Sequence, residues 1–184
     1  IHEFINKYYA IVPEAFKIAT DGRPGPVLID FPKNIQSEVI ELKEFPSIEE
    51  KEEDIDIPNS PDLSYIGAQI NKSKRPIIYA GGGIISSNSS KYLYALAKKN
   101  NIPVALTLMG LGAFPADDEL YLGMLGMHGS PFTNLLINEA DLILAFGVRF
   151  DDRATGDIKK FCPKASIIHV DIDEFSPMKI RSTR

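Results

Sequence analysis

Residues 75–83 read Arg-Pro-Ile-Ile-Tyr-Ala-Gly-Gly-Gly, an apolar run that ends in three glycines. A continuous apolar run that ends in consecutive glycines is typical of a buried strand leading into a tight turn. Further apolar runs follow at residues 103–107, 141–147 and 166–171. Helical segments separate these runs, so the pattern predicts βαβ units. We therefore expect an α/β, Rossmann-like, three-layer αβα domain with a mostly parallel sheet.

The segments between the strands have helical periodicity. Apolar residues recur at helical spacing from Leu63 to Ile70, and residues 89–100 and 132–138 also predict helices. The glycine-rich passage at residues 108–131 predicts an irregular connection. In the helix at 89–100 we expect four side chains to face inward: Tyr92, Leu93, Leu96 and Ala97.

The N-terminal third has a different organisation. Residues 11–19 predict a short helix that stops at Asp21-Gly22, and residues 26–31, Pro-Val-Leu-Ile-Asp-Phe, predict a buried strand of a parallel sheet. Residues 47–61 are acidic and contain two prolines, which is typical of a linker. We therefore expect a domain boundary near residue 60, with this first helix and strand separated from the rest of the chain.

Composition narrows the class of function. Twenty basic against 25 acidic residues give a net charge of −5, which provides no general attraction to nucleic acid. Cys162 is the only cysteine, so we expect a reducing cytoplasm and no Cys-based metal cluster. The three histidines lack metal-ligand spacing, and the longest apolar stretch, residues 76–85, is too short for a membrane span. Because the sequence does not begin with Met, we expect a longer parent chain.

Ligands of open α/β sheets bind at the carboxyl ends of the strands, so the residues there are candidates for a site. Backbone amides of Gly81, Gly82 and Gly83 can approach a pyrophosphate. The run departs from GxGxxG, and no carboxylate follows about 20 residues later to hold a ribose. The alternative is a tight turn that packs a helix on the sheet.

The next two candidate segments are apolar and glycine-rich. Leu108 and Met109, after Thr107, could cover a flat ring, or they could fill the core. His128 follows Gly126 and Met127, and a lone histidine is more often a hydrogen-bonded structural residue. Two Gly-Met pairs lie nearby, and they slightly favour the interpretation that this segment lines a ligand site over a purely structural role.

The last two strand ends are charged. Arg149, two residues after Gly147, can bind a phosphate, and Asp151 or Asp152 can orient an arginine such as Arg153 or bind a sugar hydroxyl. A solvated cluster of salt bridges would look the same. The carboxylates in Asp171-Ile172-Asp173 could bind a ribose or the edge of an adenine ring, or they could cap a helix. Together these ends predict a groove for an extended dinucleotide.

Six motifs in this order resemble the large catalytic subunit of acetolactate synthase (acetohydroxyacid synthase), a thiamine-diphosphate-dependent enzyme family. They read GRPGPVLIDFPK at 22–33, RPIIYAGGG at 75–83, TLMGLGAFP at 107–115, GMLGMHGS at 123–130, AFGVRFDDR at 145–153 and HVDID at 169–173. The resemblance covers nearly the whole chain after residue 11. It implies the end of a pyrimidine-binding domain at residues 1–33, a linker at residues 34–60 and most of a central FAD-binding domain at residues 61–184.

The resemblance also implies an activity. The family decarboxylates pyruvate on thiamine diphosphate and joins the two-carbon unit to pyruvate or 2-oxobutyrate, as a step towards valine, leucine and isoleucine. It implies homo-oligomers of a cytoplasmic flavoprotein transferase, with which a small regulatory subunit can associate. The family's catalytic glutamate and its Gly-Asp-Gly motif, which holds Mg²⁺ and thiamine diphosphate, fall outside the 184 residues. We therefore assign no catalytic or metal-binding residue and expect this chain to be inactive alone.

Carried over by motif, one set of residues is expected to line the flavin site: Arg23, Gly81, Gly82, Gly83, Thr107, Leu108, Met109, Gly126, Met127, His128, Gly147, Arg149, Asp151, Asp152, Arg153, Asp171, Ile172 and Asp173. One alternative is the central domain of a related enzyme, such as glyoxylate carboligase or pyruvate oxidase. A second is a non-catalytic nucleotide-binding or regulatory module, which bound ADP or NAD instead of flavin would reveal.

Overall fold

The computed structural model describes residues 2–37, 39 and 61–172, and the chain divides into two compact units, Ile1–Pro58 and Asn59–Arg184. The first unit begins with helix α1, His2–Thr20, which starts nine residues before the predicted one. It ends where Asp21 N donates to Lys17 O at 2.8 Å, as the Asp-Gly signal predicts. A single turn, α2, spans Lys33–Gln36. Within the described part of the chain, no helix combines the length and apolar character that crossing a bilayer requires.

The buried strand predicted at residues 26–31 is wrong. These residues belong to no described strand, and Leu28 is 89% exposed. Val27, Ile29 and Phe31 are also exposed. A strand is stabilised by pairing with neighbouring strands and by layers that cover its faces. The described part of the first unit contains no strand that could pair with this segment.

The second unit contains the predicted parallel sheet. Its five strands are β1, Pro76–Ala80; β2, Val104–Leu106; β3, Tyr121–Met124; β4, Leu142–Phe146; and β5, Ser166–Val170. All neighbours are parallel, in the order β3-β2-β1-β4-β5. Ile78 pairs with Val104 on one side and with Leu144 on the other. β1 is therefore the central strand, and the α/β fold class is confirmed.

Helices cover both faces of the sheet. They are α3, Pro61–Lys72; α4, Gly82–Ser86; α5, Ser90–Asn100; α6, Pro131–Asn138; and α7, Asp152–Thr155. Ile78 packs in one core cluster with Leu93 of α5, whereas Tyr79 packs in another with Ile137 of α6. Because adjacent residues of β1 enter different clusters, the sheet lies between two helical layers.

Two details of the second unit differ from the sequence predictions. Tyr92 was expected to face inward but is exposed, because it lies about 100° around the helix from the buried Leu93. β3 lies within the passage that was predicted to be irregular. Its Gly123 has φ of +83°, and the register with β2 shifts between Val104 and Ala105. A glycine and an irregular register conceal the apolar alternation of a strand.

Asp141 ties the start of β4 to the turn before β1. Its carboxylate accepts hydrogen bonds from Ser73 Oγ, from Lys74 N at 2.8 Å and from Arg75 N at 3.0 Å. Burial raises the pKa of Asp141, but these hydrogen bonds to the charged form outweigh it and hold the pKa below its ordinary value. The clamp fixes the two central strands relative to each other at the amino edge of the sheet.

Candidate functional site at the carboxyl edge of the sheet

The parallel sheet brings the predicted strand ends of the second unit to one edge. Residues that follow β1, β2, β3, β4 and β5 all leave the sheet at its carboxyl side. The candidate residues at positions 81–83, 107–109, 126–128, 147–153 and 171–172 therefore lie along this edge. Arg23 belongs to the first unit. Asp173 lies outside the described residues.

The glycines after β1 pack against the loop after β4. Gly81 N donates to Phe146 O at 3.0 Å, and Gly83 N donates to Gly147 O at 3.2 Å. A Cβ on Gly83 would lie 2.6 Å from Gly147 Cα, so the two backbones touch. Two of the three amides are thus used inside the protein. Gly82 begins α4 and has no acceptor within the helix, so its amide is the one best placed for a ligand.

The loop after β2 presents two uncovered apolar side chains. Thr107 Oγ1 accepts from Gly110 N at 3.0 Å and closes a 3₁₀ turn, Leu108–Gly110. Leu108 and Met109 are 68% and 70% exposed. The alternative that these two side chains fill the core is therefore wrong, and they form an apolar surface at the edge of the sheet.

The loop after β3 also exposes its side chains. Met127 is 70% exposed, and His128 is exposed too. No hydrogen bond joins the His128 ring to another described residue, so the expected structural role has no contact to support it. Met127 N donates to Arg153 O at 2.9 Å, which connects this loop to the start of α7.

Of the charged residues after β4, Asp151 caps a helix, whereas the other side chains are exposed. Asp151 Oδ1 accepts from Ala154 N at 3.1 Å and caps α7, so this carboxylate has a structural role. Asp151 Oδ2 lies 3.8 Å from Arg149 Nη2, which is a long contact for an ion pair. The side chains of Arg149, Asp152 and Arg153 are exposed. These residues do not form a tight salt-bridge cluster, and Arg149 can reach a ligand.

His169 is a site-supporting residue that the sequence reasoning missed. Its side chain is 1% exposed, and Nε2 donates to Val148 O at 2.8 Å while lying 3.6 Å from Asp171 Oδ2. The ring stacks edge-on against Phe150 at 5.1 Å. The imidazole therefore supports the turn that carries Arg149. Strand alternation puts His169 on the same face as the buried Ile167, and this was the available signal.

Two further features lie on the α6 side of the sheet. A cavity of about 270 Å³ is lined by Leu125, Met127, Asn134, Ile137, Arg153 and Phe161, among others. Tyr79 is fully buried, and its hydroxyl has no hydrogen-bond partner among the described residues. Burial, followed by the nearby charge of Asp151, raises the pKa of Tyr79 above its ordinary value.

Comparisons with known proteins match this chain to one family of enzymes. The family model for the central domain of thiamine pyrophosphate enzymes matches residues 64–183. Acetolactate synthase 3, chloroplastic, from Brassica napus is 47% identical over 171 residues, which cover 89% of this chain and 25% of that protein.

Bacterial and archaeal proteins are similarly close. Acetolactate synthase isozyme 1 large subunit of Escherichia coli is 46% identical over 93% of this chain and 30% of its own length. The probable acetolactate synthase large subunit of Methanocaldococcus jannaschii is 47% identical over 94% and 30%. This chain spans about a quarter to a third of the length of such relatives. It belongs to the thiamine pyrophosphate enzymes, and residues 64–183 correspond to the central domain of that family.

Proposed function

We propose that this chain supplies the FAD-holding central domain of an acetolactate synthase catalytic subunit. The enzyme would condense two pyruvates, or pyruvate and 2-oxobutyrate, with loss of CO₂ in branched-chain amino-acid biosynthesis. One observation carries the proposal: a chain similar to acetolactate synthase large subunits places uncovered apolar side chains and an exposed arginine, Arg149, along one sheet edge.

The residues at this edge fit the chemistry of FAD. Leu108, Met109 and Met127 offer apolar contact for a flat ring system, and methionine adapts its shape to such a surface. Arg149 offers paired donors to a phosphate oxygen. In the family that the sequence resembles, FAD is needed for the active assembly and takes no net redox part.

The rest of the organisation is part of the same proposal. Residues 1–33 would end a pyrimidine-binding domain, residues 34–60 would be the linker, and residues 61–184 would be the FAD-binding domain. Thiamine diphosphate and Mg²⁺ would be held by other parts of the enzyme. We also propose a cytoplasmic homo-oligomer of catalytic subunits that can associate with a small regulatory subunit.

Flavin binding by Arg149→Ala in the full-length enzyme tests the proposal. Loss of a charge-assisted hydrogen bond worth roughly 1.5–3 kcal/mol should weaken FAD affinity by about tenfold to a hundredfold. Arg75→Ala is the matched control, because Arg75 is equally exposed but precedes β1, and its contact is with Glu139. Unchanged FAD affinity in a folded Arg149→Ala variant would contradict this assignment, and bound ADP or NAD would favour a nucleotide-binding module.

Activity gives a second test. Full-length protein should form acetolactate from pyruvate. The 184-residue chain alone should form none, because activation of thiamine diphosphate needs a carboxylate that the proposal places in another domain. Any thiamine-dependent acetolactate formation by the purified 184-residue chain would contradict the proposed organisation.

A further inference from the structure

We propose that Asn134 is a positioning residue that holds together two segments that face the ligand, the loop that carries Met127 and the short helix α7 that carries Arg153. The inference rests on the proposed function for the ligand, because we take FAD to be the group that these segments contact. Asn134 is the fourth residue of α6, is half-buried, and belongs to none of the sequence motifs that predicted the site.

The side-chain amide of Asn134 engages both backbone groups of Gly126. Gly126 N donates to Asn134 Oδ1 at 2.9 Å, and Asn134 Nδ2 donates to Gly126 O at 3.0 Å. This pair of bonds requires a donor and an acceptor side by side, which asparagine provides and aspartate does not. It fixes the orientation of the Gly126 backbone at the point where the chain leaves β3.

Gly126 also packs against the backbone of Arg153 in α7. It adopts φ of +108°, and a Cβ there would lie 2.7 Å from Arg153 O. The next amide, Met127 N, donates to that same Arg153 carbonyl at 2.9 Å. Rotation of the peptide between Gly126 and Met127 would therefore break the hydrogen bond that joins this loop to α7. Asn134 thus controls the relative placement of the exposed Met127 and Arg153 side chains.

Asn134 is itself held in a fixed frame. Ser130 Oγ caps α6 by accepting from Thr133 N at 3.0 Å, and the buried Thr133 hydroxyl donates to Leu122 O of β3. Asn138 Nδ2 donates to the main-chain O of Asn134 at 2.8 Å, a bond within α6 that does not involve the side-chain amide of Asn134. The helix that carries Asn134 is therefore tied to the strand from which the Gly126 loop departs.

Asn138 offers a matched control. It has the same side chain, lies one turn further along α6, and its Oδ1 accepts from Cys162 N at 2.9 Å, so it fixes a different loop. Asn134→Ala and Asn138→Ala each remove an asparagine that holds a loop backbone. They should differ in which loop they release, the Gly126 loop for Asn134→Ala and the Cys162 loop for Asn138→Ala.

The experiment compares these two variants in the full-length protein. The first measurement, made without flavin, is amide hydrogen exchange of the peptide that covers residues 124–129. The second is FAD affinity, followed by flavin fluorescence. We expect Asn134→Ala to speed exchange and to weaken FAD binding, each by about tenfold, and Asn138→Ala to change neither by more than about twofold. If Asn134→Ala does not fold, Asn134→Asp keeps the size, loses the donor and should give the same two changes.

Exchange that does not change in the Asn134 variants would overturn the inference. Faster exchange with wild-type FAD affinity would also overturn it, because the loops would then move without consequence for the ligand. Equal effects of Asn134→Ala and Asn138→Ala would assign both residues to general stability and likewise overturn it. Failure of the wild-type protein to bind FAD is a different outcome: it would overturn the proposed function, while the exchange comparison still tests the backbone clamp.

Discussion

Two apolar runs of this chain are nearly alike in sequence and unlike in structure. Residues 26–31, Pro-Val-Leu-Ile-Asp-Phe, and β1, Pro-Ile-Ile-Tyr-Ala, both begin with proline and continue with bulky aliphatic residues. In β1, residues 77–80 are buried, and residues 78–80 pair with strands on both sides. In residues 26–31 no side chain is buried.

The difference lies in what surrounds each run. β1 has two neighbouring strands and a helical layer on each face, so its apolar side chains leave water and its backbone groups find partners. Residues 26–31 share an open apolar groove with α1, lined by Ile11, Ala15 and Ile18, and pair with no described strand. A hydrophobic run is therefore buried only where neighbouring strands and helices are present to cover it.

Hydrogen exchange should give the largest contrast between the two runs. Amides of Ile77–Ala80 should exchange at least about a thousandfold more slowly than those of Val27–Asp30, because only the former lie in a core sheet. Protection at Val27–Asp30 that grows with protein concentration would mean that this run pairs with another copy. Strong protection in a protein that stays monomeric at every concentration would contradict the comparison.

A matched pair of isoleucine truncations should give the next largest effect. Ile78→Ala removes a fully buried side chain and should lower the free energy of unfolding by about 2–5 kcal/mol. Ile29→Ala removes an exposed one and should cost less than about 1 kcal/mol. Urea denaturation followed by circular dichroism measures both. A cost of several kcal/mol for Ile29→Ala would show that residues 26–31 are covered in solution.

Glycines beside the two runs should respond differently to an added methyl group. A Cβ on Gly81 would lie 2.3 Å from Gly147 O, so Gly81→Ala should cost about 1–3 kcal/mol. Gly25 has no atom within 4 Å of the Cβ position, so Gly25→Ala should be neutral or stabilise by up to about 1 kcal/mol. Thermal denaturation compares the two variants. Wild-type stability of Gly81→Ala would mean that the loops after β1 and β4 do not touch in solution.

The smallest expected effect concerns pH. The pKa of Asp141 is lowered in the folded protein, so its contribution to stability is full above the unfolded value of about 3.9 and is lost as pH falls below it. Solvent screening keeps that contribution below about 1 kcal/mol. Asp141→Asn should flatten the acid side of the stability profile, with Asp30→Asn as the matched loss of a carboxylate. An unchanged acid slope in Asp141→Asn would show that the clamp does not hold this carboxylate ionised.

The sequence predicted four of the five strands of the second unit because these four are short apolar runs bounded by glycine, proline or polar residues. β1 and β4 begin within one residue of the predicted positions, and the ends of α5 and α6 also agree closely. β3 was missed because its Gly123 and shifted register weaken the local pattern. The strand at residues 26–31 was wrong because pairing depends on segments distant in sequence, which no local pattern reports.

The candidate site was also predictable only in part. Because the strands are parallel, the residues that follow them lie at one edge of the sheet. Leu108, Met109 and Arg149 became candidates because of this position and their residue types. The backbone contact between Gly83 and Gly147, the cap made by Asp151 and the clamp made by Asn134 depend on residues that meet only after folding. Whether the edge binds FAD stays a prediction.

The central position of β1 has a consequence for the order of folding. Its two partners lie at unequal distances along the chain: Ile78 pairs with Val104 nearby and with Leu144 more than twice as far away. Since each doubling of a closed loop costs only about 0.6 kcal/mol, the pairing of β1 with β2 has a modest kinetic advantage. It also needs only α4 and α5 to be in place, whereas β4 must wait for α6 and for Asp141 to reach the turn before β1. We expect a transition state in which β1, α5 and β2 are formed while β4 and β5 still lack their contacts, so that core truncations in β5 would speed unfolding far more than they slow refolding.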